Sequence, residues 1–155
     1  MYHSHKRIIY IALSVSFVLV FYFNIPFEKV ASESIIIAST TIAIYMITTA
    51  LLIESKLSES MRKPDSIIKT KTKLGVLTTY LRNAVFVGVC LILDCCFLKM
   101  YAKEYCQEIN SVGQACETIY RISSSIGFSL LITTIIFTLL LFQFLSVSLL
   151  NQCKS

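Results

Sequence analysis

The run Ile122–Leu150, ISSSIGFSLLITTIIFTLLLFQFLSVSLL, holds 29 consecutive residues without a charge. Crossing a hydrocarbon core about 30 Å thick takes about 20 predominantly apolar helical residues. At roughly 1.5 Å per residue this run reaches about 43 Å, so it must tilt or project beyond the core. A soluble core would instead scatter its apolar positions at helical or strand spacing. The solvent this segment is built for is lipid.

Three further stretches read the same way. Ile8–Phe23, IIYIALSVSFVLVFYF, stops near Asn24-Ile25-Pro26, because Pro26 lacks an amide donor and disfavours helix in the residue before it. Ile35–Ile53 is free of charge, with Glu33 just before it and Glu54 just after. Gly75–Leu98 carries two charges, Arg82 and Asp94. The expected spans are 8–25, 34–54, 75–98 and 122–150, joined by a loop at 55–74 and, on the other side, loops at 26–33 and 99–121. The whole chain then forms one membrane domain, an all-α four-helix bundle. Lipid offers no partner for unpaired backbone groups, and the alternating strands of a closed barrel are missing. The first segment has the basic start of a signal peptide, but no small-x-small cleavage site follows it, so it is read as retained.

The composition agrees, at 55% apolar and 15% charged, against about 25% charged in ordinary soluble domains. The net charge of +5 reports orientation before anything else, because the basic residues gather at segment ends. Lys6, Arg7, Lys56, Arg62, Lys63, Lys69, Lys71, Lys73 and Lys154 fall on one side, against Lys29, Lys99, Lys103 and Arg121 on the other. Both termini and the 55–74 loop are therefore expected in the cytoplasm. With no Trp, interfacial aromatics must come from the 8 Tyr and 10 Phe.

Cys106 and Cys116 then lie on the oxidising side, ten positions apart, and form the expected disulfide. Cys153 sits on the reducing side. Cys90 reads as inert packing, as do Cys95 and Cys96, although an adjacent pair could also be lipidated or redox-active.

Ionisable residues at membrane depth face a bundle interior or a water-filled cavity and are functional candidates. Arg82 and Asp94 are twelve positions apart, about 18 Å along a helix and about 120° around it, so they cannot pair with each other. Arg82 is near enough to the cytoplasmic edge to snorkel. Asp94 is shorter; Lys99 and Arg121 are candidate partners for it. Small and hydroxyl residues form stripes: Thr41, Tyr45 and Thr48; Ala84 and Gly88; Ser125, Ser129 and Thr133. Such stripes allow close helix approach and hydrogen bonds across the contact, or line a narrow pore. Gln143 is expected to bond a neighbouring helix. His3 and His5 suggest two metal ligands at an unordered end, which is a weak site.

The loop SKLSESMRKPDSIIKTKTK is the largest polar feature. Lys69, Lys71 and Lys73 adjoin a span, where anionic lipid attracts basic side chains, and with Lys56, Arg62 and Lys63 they offer a docking surface for a cytosolic protein. Surplus packing stripes suggest a homo-oligomer. Enzyme motifs are missing: there is no Gly-rich phosphate loop, HExxH, CxxC or Gly-x-Ser-x-Gly. No catalytic role, cofactor, metal or direct nucleic-acid contact is expected. Four-helix thiol oxidases need a cysteine pair in the first outer loop, and small multidrug exporters need a carboxylate in the first helix. This chain has neither.

The second helix and its continuation, IIIASTTIAIYMITTALLIESKLSESMR, lead into the basic loop. In that stretch and in overall architecture the chain resembles the membrane subunit of the Kiwa anti-phage defence system of bacteria. The resemblance implies an inner-membrane oligomer that senses phage attack and holds a cytosolic partner at the membrane, and it transfers no functional residue. Bacteriocin immunity or superinfection-exclusion proteins, and small channels or transporters, share the same outline.

Overall fold

A computed structural model describes residues 2–54, 72–108 and 113–152, with side chains over 2–50, 72–100 and 117–147. Its four elements are α1 (His3–Phe23), α2 (Glu28–Glu54), α3 (Lys73–Glu108) and α4 (Gly113–Gln152). All four are helices long and apolar enough to cross a membrane.

Local chemistry explains the boundaries. Asn24 ends α1 in the left-handed conformation (φ 50°, ψ 48°) with its N–H on the Val20 carbonyl; Asn is among the few residues that adopt this region readily. Ile25 N–H donates to the same carbonyl at 3.4 Å, and Pro26 has no N–H to continue the ladder. Glu28 opens α2, where a carboxylate suits the positive end of the helix. Thr72 caps α3: its Oγ1 accepts the Gly75 N–H at 3.1 Å.

The helices outrun the apolar stretches. Of the segments read as loops, 28–33, 73–74, 99–108 and 113–121 are helical. Hydropathy marks where lipid ends, whereas a helix stops only where its backbone hydrogen bonds stop. The 36 residues of α3 and 40 of α4 extend about 54 and 60 Å, so both project well past a core of about 30 Å.

Packing order differs from chain order. α4 packs against all three other helices, and α3 lies between α4 and α2. α1 packs along α4 and meets α3 at its N-terminal end, where His5 lies against Tyr80, and the consecutive pair α1 and α2 do not pack along each other. Each carries one narrow buried stripe turned towards a later helix: Ile9, Ser16 and Val20 on α1, and Ala31, Ser34, Ala38 and Tyr45 on α2. One core cluster lies at the end holding the N-terminus, around Tyr80, Leu77 and Phe137. The other lies at the end holding the α1–α2 turn, around Phe27, Leu91 and Leu98. Outward faces are apolar on every helix, as at Val18, Ile36, Phe86 and Leu139. Apolar patches this extensive suit lipid and would drive association in water.

Candidate functional site: a half-buried carboxyl between two helices and a turn

Asp94 lies on α3 near the turn end of the bundle. Ser123 on α4 donates its hydroxyl to Asp94 Oδ1 at 2.8 Å. The other oxygen, Oδ2, is buried and has no hydrogen-bond partner among the described residues. Beside it lies Gly127, one turn along α4 from Ser123. A Cβ on Gly127 would collide with the Phe27 ring and stand 2.7 Å from Asp94 Oδ2. Only a residue without a side chain lets the carboxyl and that ring close over α4. Phe27 itself is fully buried and meets Phe128 edge-on, with ring centroids 4.8 Å apart.

The cations expected to meet Asp94 have other partners. Lys99 Nζ donates to Ser32 Oγ at 2.9 Å. The Arg121 guanidinium donates to the Phe21 carbonyl at 3.2 Å and stands over the Phe21 ring at 5.2 Å. Tyr120 donates its hydroxyl to Glu28 Oε2 at 3.4 Å. These three contacts fasten α3 and α4 to both sides of the α1–α2 turn. Lys99 and Arg121 each serve as a tie to a neutral group, leaving the carboxyl with one serine hydroxyl.

Arg82 faces outward and is exposed, two residues beyond the buried Tyr80. Ala84 and Gly88 are buried, and a Cβ on Gly88 would approach Ile42 of α2 at 3.1 Å. Ser125, Ser129 and Thr133 are buried too, but each hydroxyl donates to the carbonyl four residues earlier, at 2.7–2.8 Å. These stripes act inside the protomer through their small size, and their hydroxyls do not cross to another helix. Of the stripe residues, Tyr45 bonds across to α4, at Thr138, 2.7 Å away. Thr138 already donates to the Thr134 carbonyl at 2.9 Å, so Tyr45 is the donor.

Gln143 is exposed, and no hydrogen bond ties it to another helix among the described residues. Its neighbour Phe144 packs near Tyr80, with centroids 6.4 Å apart. The amide thus stands at the level of the Tyr80 cluster, towards the end of the bundle and away from mid-span. His3 and His5 lie within α1 rather than in an unordered tail. Residues two apart do not face each other on a helix, and His5 Nδ1 is instead 2.6 Å from the Tyr80 hydroxyl.

Of the basic side chains singled out above, Lys73 is the first residue of α3. Lys56, Arg62, Lys63, Lys69 and Lys71 lie outside the described residues, as do the side chains of Cys106 and Cys116. Cys90, Cys95 and Cys96 are free thiols, and Cys95 is buried. Compared with family models, curated proteins and solved structures, the chain matches none.

Nothing local to Asp94 announced Ser123, Gly127 or Phe27 as its surroundings. The available signal was Gly127 itself, the single glycine of the uncharged run Ile122–Leu150, which is otherwise built of hydroxyl residues, one glutamine and large apolar residues. A conformationally costly residue inside a helix implies that something needs its space.

Proposed function

We propose that the chain is a non-enzymatic scaffold or sensor in a bacterial inner membrane. It oligomerises and presents the basic segment containing Lys56, Arg62, Lys63, Lys69, Lys71 and Lys73 to anionic lipid and to a cytosolic protein. Anti-phage defence is the setting that the resemblance implies. The observation carrying this reading is how the segment is anchored: its last lysine, Lys73, opens a 36-residue helix capped by Thr72. That helix packs on α4, which touches every other helix. A partner held at the segment is therefore attached to a stiff frame running the length of the bundle. Copies brought together would place several basic segments side by side and raise avidity for one partner.

The test is reversal of Lys69, Lys71 and Lys73 to Glu. A carboxylate at the first position of α3 suits the helix dipole, so membrane insertion and oligomer size should stay as in wild type. Recovery of cytosolic proteins and binding to vesicles of anionic lipid should both fall. If the reversed protein still recovers every partner that wild type does, the reading is wrong. A toxin-blocking or exclusion role then becomes the better one. A second reading, a small transporter, is favoured by Asp94, whose free oxygen lies buried in the bundle.

A further inference from the structure

We propose that Asp94 is a proton-binding site, shut off from the aqueous phase at the turn end of the bundle by the ring of Phe27. It is independent of the docking role proposed above, and either can fail without the other. Among the described residues the carboxyl has one hydrogen bond, from Ser123 at 2.8 Å, and one buried oxygen without a partner. Asp94 is half-buried as a residue, but the enclosed oxygen of an ionised carboxylate so placed would lack a hydrogen-bond donor and a counter-ion, a condition that groups in apolar surroundings relieve by taking up a proton. The nearby charges do not relieve it. On its own helix, Lys99 is bonded to Ser32, and Cys95 is a buried thiol. On α4, Arg121 is turned to Phe21, and Tyr120 donates to Glu28 of α2. The proton therefore resides on Oδ2 while Oδ1 accepts from Ser123.

Phe27 controls exchange. Its ring lies beside Oδ2 over Gly127, and it is the last residue of a four-residue turn between α1 and α2. The turn is too short to move by itself. It shifts only with the ends of α1 and α2, which Arg121, Lys99 and Tyr120 hold. A force that loosens those ties withdraws the ring, lets water reach Oδ2, breaks its O–H bond and leaves a carboxylate behind as the proton passes to water. Mechanical displacement of the turn would thus be converted into a change of charge inside the bundle.

The experiment uses the whole protein in proteoliposomes at neutral pH. Infrared difference spectra between wild type and Asp94→Asn should show a carboxylic-acid C=O band present only in wild type. Its shift in D2O should be slow in wild type and prompt in Phe27→Ala. Lipid-soluble dicyclohexylcarbodiimide should modify Asp94, while a water-soluble carbodiimide present on both faces should not. Phe27→Ala should gain modification by the water-soluble reagent, and Phe27→Leu, which keeps an apolar plug, should not. Two wild-type outcomes overturn the proposal without any Phe27 variant. A carboxylate band in place of the acid band removes the proton. Modification by the water-soluble reagent removes the plug.

Discussion

Gly127 is the residue on which the turn end closes. Replacing it with Ala gains helix propensity of roughly 1 kcal/mol. The added methyl, however, meets the aromatic carbons of Phe27, a rigid ring already enclosed by Phe128. Overpacking of this kind costs typically about 1–3 kcal/mol, so Gly127→Ala should lower the unfolding temperature in detergent. Gly88→Ala is the comparison. Its methyl would meet the flexible end of Ile42 at 3.1 Å, which can rotate away, so it should be near neutral. Equal behaviour of the two variants would show that Phe27 has room to move and that the junction is looser than described. Gly88→Leu is different again, because its bulk would separate α3 from α2 within one protomer.

At the scale of elements, the long projections of α3 and α4 set the context for the cysteines. Cys106 falls in the last turn of α3 and Cys116 in the first turn of α4. A disulfide there would join two helix ends across residues 109–112, and a closed loop of this size is worth about 2.5–3 kcal/mol in the chain-entropy account. We expect both thiols to resist alkylation until reductant is added, while Cys153 reacts at once in permeabilised cells. Reaction of both loop cysteines without reductant would remove this staple. The helices also differ in how they are held. α2 meets α3 where Ile42 lies over Gly88 and is tied to α4 by Tyr45, whereas α1 rests on α4 and is pinned at its ends by Tyr80 and Arg121.

For the molecule as a whole, direction in the membrane follows from lysine and arginine placement, and it sets which aqueous phase each end meets. A phosphatase fused after Ser155 should be inactive, and one inserted near Gln107 should be active. The reverse pattern would overturn the orientation and move the basic segment to the wrong side for a cytosolic partner. Ala84, Gly88, Ser125, Ser129 and Thr133 are buried within the chain, so the oligomer proposed above would have to form through outward faces. Oligomer size should therefore survive changes at Ser125 and Ser129 that leave the bundle folded.

Hydropathy alone marked the four described helices that are long and apolar enough to cross a membrane. Long charge-free runs have one stable state in a bilayer, and that inference needs no knowledge of neighbours. Asn24 and Pro26 likewise marked the end of α1, because turn chemistry is local. Helix length beyond the lipid was not legible, since charged residues such as Lys99 and Lys103 are compatible with a helix in water. Nor was the order of packing, because each stripe shows only that a face is buried and not which helix covers it. Asp94 stood out in the sequence as a charge in a span, yet its partners did not. Ser123 and Gly127 are separated from it by 29 and 33 positions along the chain, and Phe27 by 67. Only the folding of α3 and the α1–α2 turn against α4 brings them together. That tertiary contact left Asp94 with a serine and a phenylalanine ring in place of the nearby lysine and arginine, because those two side chains bond Ser32 of α2 and Phe21 of α1 instead.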